Sequence, residues 1–300
     1  QWMVEQCFAP LLVNRGFEHP REALAIMDKT AVGNPYAKAA VDTALWDLWA
    51  RSRGVAATQL FADRAPVAAL PTRISIAAGS VEQTVALARE FWGAGIRTLK
   101  FKVGVAGCDD IARLRAVREA LGDAPAFVVD ANGAYATVDE AVRAVEAMRP
   151  FRVELVEQPT PRDRIGLLAQ VRRRLDVPIL ADEAVFTPDH LAEALDCDAF
   201  DYLAISPGKN GGFTRSIEMA ETAQKAGKHC AIGSNLETDL GQASMAALAA
   251  GLSAFPVETL PGDLGASMYY QRPSTKPELA LTQGSLVLPG GPGFGVEPRP

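Results

Sequence analysis

The chain has 300 residues, of which 48% are hydrophobic and 22% charged, and its formal net charge is −6. This composition predicts a globular protein with a large core, and the acidic balance argues against nucleic acid or an anionic membrane surface as a partner. The four cysteines have no paired spacing and no apolar run approaches the roughly 18 residues of a membrane span, so no disulfide framework, zinc site or membrane anchor is indicated. We therefore expect a cytoplasmic protein that acts on a small molecule.

The first segment, to about Phe61, is predicted to be mainly helical. In the stretch AKAAVDTALWDLWARSRG, apolar residues recur at the spacing of one helix face, as Val41, Leu45 and Leu48 show. We expect this helix to pack against the rest of the chain.

From Arg73 onwards, short segments rich in aliphatic and β-branched residues alternate with amphipathic stretches of helical periodicity. Strand followed by helix, seven times over, is typical of a parallel sheet covered by helices, and eight strands allow the sheet to close into a barrel. The eight candidate strands are RISIAAG, TLKFKVG, AFVVDANG, VELVEQP, PILADEA, DYLAISPG, HCAIGSN and PVETLPGD.

The predicted fold class is α/β: a parallel (β/α)7β TIM-like barrel with a helical, α+β capping region. We expect residues 1–66 to form the N-terminal part of the cap, 67–272 the barrel, and 273–300 a tail that returns to the cap. The Pro- and Gly-rich end of this tail, LPGGPGFGVEP, cannot form a long helix and is expected to run as an extended strand or loop.

Three carboxylates follow successive candidate strands at nearly equal spacing. Asp130, Glu157 and Asp182 each end an apolar run, and Lys102 ends the run before them. Since the carboxyl ends of parallel strands meet at one face of a barrel, these side chains are expected to share a pocket, where three anions favour a hard divalent cation such as Mg²⁺. The alternative is that each acid pairs separately with a surface arginine.

Lys100 and Lys102 are two residues apart on one candidate strand, so both side chains point to the same face. Two neighbouring ammonium groups lower each other's pKa, and a nearby cation lowers it further. We therefore expect at least one of them to serve as a neutral base near pH 7. The alternative is a solvated strand edge.

The segments LKFKVG, VVDANGAY, VELVEQP, ILADEA, KNGG and GSNLET together resemble the enolase superfamily, within the muconate-lactonizing subgroup that carries Lys-x-Lys on the second barrel strand. The resemblance implies that Asp130, Glu157 and Asp182 are Mg²⁺ ligands, with Mn²⁺ as an alternative ion. It also implies that Lys102 is the acid/base and that Lys100 is its electrostatic partner near the substrate carboxylate.

Two further residues lie close behind the predicted ligands. Asn132 and Glu183 are interpreted either as groups that orient the ligands or, equally well, as a turn residue and a charge at a helix start.

The sixth candidate strand departs from the subgroup pattern. Ser206 stands where these proteins usually carry a second lysine, and Lys209 follows three residues later. A racemase that works on both faces of a carbon needs two bases. Either Lys209 bends in as a catalytic residue, or the reaction uses one face, as in cycloisomerisation or syn-elimination. A surface position for Lys209 is the remaining alternative.

The last two candidate strands are expected to supply substrate contacts. Asn235, Glu237, Glu258 and Asp263 lie at or after these strands, with Glu258 the foremost candidate, and Ser206 is a further substrate-binding candidate. The family normally begins with cap-domain strands, and this sequence starts almost in the helices, so we expect the N-terminal part of the cap to lack those first strands.

The predicted function is Mg²⁺-dependent proton transfer α to a carboxylate through a metal-stabilised enolate, closest to a muconate cycloisomerase and acting on a small-molecule carboxylate. The enzymatic alternatives are a dipeptide or amino-acid epimerase or racemase and an acid-sugar dehydratase. The alternative of another class is a barrel that binds a metal and a carboxylate without turnover. By resemblance we also expect a homo-oligomer.

Overall fold

A computed structural model describes residues 1–299 of the protein. Its centre is one sheet of seven parallel strands that neighbour each other in chain order. The strands are β1 (Arg73–Ile76), β2 (Thr98–Lys102), β3 (Ala126–Asp130), β4 (Val153–Glu157), β5 (Ile179–Ala181), β6 (Tyr202–Ile205) and β7 (His229–Ile232). The predicted α/β barrel class is confirmed.

Helices connect the strands and cover the outside of the sheet. Helices α1 to α3 precede the barrel, and α4 to α11 lie between or after its strands. The helices are α1 (Ala9–Leu12), α2 (Pro20–Thr30), α3 (Pro35–Ser52), α4 (Val81–Gly93), α5 (Asp110–Leu121), α6 (Val138–Met148), α7 (Ile165–Arg172), α8 (Pro188–Asp196), α9 (Pro207–Asn210), α10 (Phe213–Lys225) and α11 (Asp239–Gly251).

The strands are buried on both faces, which explains their nearly continuous apolar character. Side chains that point outwards, such as Ile74, Phe101 and Val129, pack under the helices. Side chains that point inwards, such as Val128 and Leu155, form a second cluster inside the barrel. This inner layer fills the barrel beneath the strand ends, so polar side chains at those ends lie over an apolar floor.

The predicted eighth strand is wrong. The segment PVETLPGD contains no strand, because Pro256 and Pro261 have no N–H to donate to a ladder. The segment still closes the sheet: Gly262 O accepts a hydrogen bond of 3.0 Å from Arg73 N, and Asp263 N donates one of 2.9 Å to Ile232 O. An irregular connection between β7 and β1 therefore takes the place of a regular strand.

The predicted helical character of the first segment is confirmed, and the C-terminal tail runs back over it. Residues Ser285–Val287 pair antiparallel with Ala69–Pro71. Further along, Phe294 N donates to the Asp47 carboxylate at 2.7 Å. The tail is therefore tied to both the start of the barrel and helix α3.

All four cysteines are free thiols. Within residues 1–299, no helix combines the length and the apolar character needed to cross a membrane.

Helix α3 is joined to the barrel through a buried carboxylate. Asp42 accepts hydrogen bonds from Thr214 N at 2.8 Å and from Thr214 Oγ1 at 2.7 Å. Burial raises the pKa of Asp42 to about 6 from its ordinary 3.8, even though these hydrogen bonds oppose the shift. The folded state therefore binds a proton at this site more tightly than the unfolded state does.

We predict that this site destabilises the folded protein as pH rises from about 4 through 6, with the full cost of about 2–3 kcal/mol present above pH 6. Asp42→Asn removes the titration, so the free energy of unfolding of the wild type should fall relative to that of the variant over this range. Urea unfolding at pH 4.5 and pH 7.5 measures the difference. A difference that does not change with pH contradicts the assignment.

Candidate active site

The carboxyl ends of the strands bring the predicted residues to one face of the barrel. Lys102 lies opposite Asp130 in the β2–β3 register, and Asp130 lies opposite Glu157 in the β3–β4 register. Asp182 and Ser206 each follow directly after a strand, β5 and β6 respectively. The spacing in the sequence is therefore the spacing of consecutive strand ends.

Lys100 lies at the centre of a buried group of acids. Its Nζ is 2.7 Å from Glu157 Oε1, 3.0 Å from Asp130 Oδ2 and 3.1 Å from Asp263 Oδ2. The side chains of Asp130 and Glu157 are each only 1% exposed. Carboxylates from three parts of the chain thus converge on one ammonium group.

This position changes the expected protonation of Lys100. Burial by itself lowers the pKa of Lys100, but the fields of Asp263, Glu157 and Asp130 together raise it well above 10.5. The pKa of Lys100 is therefore raised, where the sequence predicted a lowered one, because the three acids outweigh burial and the positive charge of Arg73.

The two carboxyls next to Lys100 shift in opposite directions. Burial favours the neutral form of Asp130, but Lys100 and Lys102 together hold its pKa well below the usual range. For Glu157, burial and the negative charge of Asp130 raise the pKa. Asp130, which contacts both lysines, is therefore the more firmly ionised of the two.

Arg73, at the start of β1, is a component of the site that sequence reasoning missed. Its Nη2 donates to Glu157 Oε2 at 3.1 Å and to Asp263 Oδ2 at 2.9 Å, and the side chain is only 1% exposed. Within residues 1–299, its Nε and Nη1 atoms have no hydrogen-bond partner. The only signal in the sequence was a charged residue at the start of a strand that carries the apolar Ile74 and Ile76.

Lys102 is the more accessible lysine of the pair, with a side chain that is 31% exposed. Its Nζ lies 2.6 Å from Asp130 Oδ2 and 2.7 Å from Asn132 Oδ1. Asn132 in turn donates through Nδ2 to Glu183 Oε1. Asn132 therefore links the lysine to the segment that follows β5.

The ammonium group of Lys209 is hydrogen-bonded to Asp182, after β5, and to Ala204, in β6. Its Nζ donates to Asp182 Oδ1 at 2.8 Å and to the carbonyl oxygens of Asp182 and Ala204, each at 2.9 Å. These three contacts account for all three N–H bonds of the ammonium group. In this conformation Lys209 holds Asp182 in place rather than reaching into the barrel opening.

On the β6 and β7 side, hydroxyl and amide groups surround one carboxylate. Ser206 Oγ donates to Glu237 Oε1 at 3.4 Å and accepts from Asn235 Nδ2 at 3.3 Å, while Ser234 Oγ donates to Glu237 Oε2 at 2.6 Å. Glu258 is not brought into this group, since it lies exposed in the turn that precedes Asp263.

A cavity of about 310 Å³ opens beside the lysines, a size suited to a small molecule. Its charged lining residues are Arg73, Lys100, Lys102 and Asp263, and the other lining residues are neutral. The lining residues are Arg73, Ile74, Ser75, Ala77, Lys100, Lys102, Ser234, Leu236, Asp263, Gly265, Ala266 and Tyr269.

The donor set has the chemistry that Mg²⁺ prefers, since it consists of carboxylate oxygens from adjacent strand ends. Asp130 and Glu157 already share one cationic group, the ammonium of Lys100, and Glu183 Oε2 is a buried oxygen without a hydrogen-bond partner among residues 1–299. In the same range, no three acidic, histidine or cysteine side chains are already arranged to hold a metal ion. The residues fit Mg²⁺ in type, but they would have to leave their lysine partners to gather around it.

Comparison with known proteins identifies the family. The Enolase C-terminal domain-like model matches residues 83–300, and the model of the mandelate racemase / muconate lactonizing enzyme N-terminal domain matches residues 1–62. The chain is 30% identical over 299 residues to the L-Ala-D/L-Glu epimerase of Bacillus subtilis (strain 168), which covers 98% of this chain and 79% of that protein. It is 29% identical over 300 residues to muconate cycloisomerase 1 of Rhodococcus opacus, covering 99% and 79% respectively.

A solved structure agrees with these matches. The dipeptide epimerase from Enterococcus faecalis V583, complexed with Mg and the dipeptide L-Leu-L-Tyr, superimposes with a TM-score of 0.86 at 30% identity and covers 92% of this chain and 77% of that chain. With the barrel, the lysines and carboxylates at its strand ends and the two family matches taken together, the chain belongs to the enolase superfamily and is an enzyme of its muconate-lactonizing-like subgroup of isomerases and lyases.

Proposed function

We propose that the protein moves a proton at the carbon next to a carboxylate, through an enolate, in a reaction of the muconate cycloisomerase type. The observation that carries the proposal is the position of Lys102, whose side chain lines the cavity, is 31% exposed and contacts Asp130. An amine in that position can exchange a proton with a molecule bound in the cavity. The substrate is a small-molecule carboxylate.

The proposed metal ligands are Asp130, Glu157 and Asp182, with Mg²⁺ as the ion and Mn²⁺ as an alternative. When bound, the ion supplies positive charge beside the substrate carboxylate, where removal of an adjacent proton would otherwise create a poorly stabilised dianion.

Two lysines and an asparagine have distinct proposed roles in the reaction. Lys102 delivers the proton to the enolate carbon in cycloisomerisation and, as a neutral amine, removes it in elimination. Asn132 orients the Lys102 ammonium through its Oδ1 contact of 2.7 Å. Lys100 stays positively charged and stabilises negative charge on the carboxylate side of the substrate.

The β6 side supports chemistry on one face of the substrate carbon. Ser206 is hydrogen-bonded to Glu237, and the three N–H bonds of Lys209 go to acceptors on Asp182 and Ala204. A hydroxyl group is too weak a base to replace an amine there. The second candidate is an epimerase, which is favoured by the 30% identity to the L-Ala-D/L-Glu epimerase.

We predict that the protein with Mg²⁺ in D₂O incorporates deuterium next to the carboxylate of at least one member of a panel of carboxylic acids. Lys102→Ala should slow this exchange by roughly 10²-fold or more, because it removes the proton-carrying group. NMR of the recovered acids measures the exchange.

Lys228→Ala is the matched control, since Lys228 pairs with Asp198 outside the site. It should exchange at the wild-type rate. If no acid exchanges or turns over, the proposal fails in favour of a barrel that only binds its ligands.

We also predict that the wild-type protein does not interconvert the enantiomers of any acid that it exchanges. Ser206→Lys places an amine opposite Lys102 and beside Glu237, and should make racemisation detectable by chiral chromatography. Racemisation by the wild type contradicts the one-face mechanism. If that racemisation is lost in Lys209→Met, Lys209 is the second base.

For the metal, Asp182→Asn should weaken Mg²⁺ binding by roughly tenfold or more while leaving the circular dichroism spectrum unchanged, because a ligand charge is lost. Calorimetric titration with MgCl₂ measures the affinity. Asp198→Asn, on the surface, is the control and should bind like the wild type. Equal affinities for all three proteins remove Asp182 from the metal site.

A further inference from the structure

Lys100 occupies the point on which the predicted metal ligands converge. Its Nζ contacts Asp130 Oδ2 and Glu157 Oε1, two of the three proposed Mg²⁺ ligands, at 3.0 and 2.7 Å. Its third contact is Asp263 Oδ2 at 3.1 Å. The ammonium group therefore neutralises the same oxygens that a divalent ion would need.

Both oxygens of Glu157 are engaged by cations. Lys100 holds Oε1, and Arg73 Nη2 holds Oε2 at 3.1 Å. Arg73 is a planar group buried on β1, whereas the lysine ammonium sits on a flexible four-carbon chain. Of the two cations, Lys100 is the one that can move aside without disturbing the sheet.

The cavity offers the Lys100 ammonium an alternative position, because Lys100 lines it together with Lys102. A carboxylate bound in that cavity offers the ammonium group new acceptors in exchange for those on Glu157 and Asp130. One lysine could thus alternate between the buried acids and the substrate.

We propose that Lys100 is an internal counter-ion that gives up Asp130 and Glu157 to the metal and then binds the substrate carboxylate. This inference rests on the proposed function, since it takes Asp130 and Glu157 to be the metal ligands. Lys100 and Lys102, with one positive charge each, already share Asp130 Oδ2. A divalent ion on Asp130 and Glu157 would repel the Lys100 ammonium about twice as strongly as Lys102 does, so metal entry displaces Lys100. The displaced group is then free for the carboxylate, and metal and carboxylate each strengthen the binding of the other.

The test is calorimetric titration of MgCl₂ into the wild type and into Lys100→Met. The variant keeps Lys102 on Asp130 and Arg73 on Glu157 but removes the cation that the metal must displace. It should bind Mg²⁺ about tenfold or more tightly than the wild type, which corresponds to about 1.4 kcal/mol. Lys228→Met makes the same substitution at a lysine that pairs with Asp198 outside the site, and it should leave the affinity unchanged.

A second titration uses phenylacetate as the carboxylate probe, with and without saturating Mg²⁺. In the wild type Mg²⁺ should strengthen phenylacetate binding severalfold, and in Lys100→Met this gain should be largely lost. Circular dichroism shows whether Lys100→Met folds. If it does not fold, the effect of Mg²⁺ on phenylacetate binding to the wild type becomes the test. Phenylacetate affinity that is independent of Mg²⁺ overturns the inference.

The outcomes separate this inference from the proposed function. If Lys100→Met binds Mg²⁺ no more tightly than a wild type that does bind it, the counter-ion role is wrong and the metal site stands. If Lys100→Met binds Mg²⁺ and the wild type does not, the counter-ion role is supported and the metal dependence of the wild-type reaction is contradicted. Binding by neither protein overturns both.

Discussion

The site depends on the neutralisation of acidic side chains that the barrel buries at one end. Asp130, Glu157 and Asp263 come from different elements, yet all three lie within 3.1 Å of the Lys100 ammonium. Unpaired carboxylates at this depth would be too costly to keep ionised, so the fold requires cations beside them. Lys100 and Arg73 meet that requirement inside the barrel.

The barrel scaffold explains why these charges meet. Parallel register places Lys102 beside Asp130 and Asp130 beside Glu157, so residues far apart in sequence become neighbours at the strand ends. Beneath them, apolar side chains such as Leu180 fill the barrel interior and exclude water. The charges therefore interact mainly with one another and with whatever enters the cavity.

Residue spacing predicted the strand order and the meeting of Asp130 and Glu157, because one strand, one helix and their loops have nearly constant length. It could not predict partners that depend on tertiary contacts. In the sequence, Arg73 is marked only as a strand residue. Lys209 lies in the short helix α9, and its ammonium group contacts the segment after β5. The eighth strand failed because apolar composition outweighed two prolines in the prediction, whereas in the structure the missing N–H groups prevent a ladder.

The central claim is that these acids exchange a lysine for a metal ion. A crystal structure of the protein with Mn²⁺, located by its anomalous scattering, tests the claim most directly. The account predicts one ion bound by Asp130, Glu157 and Asp182, with Lys100 Nζ moved away from Glu157 towards the cavity. An ion bound elsewhere, or Lys100 still in contact with Glu157 while the ion is present, would contradict it.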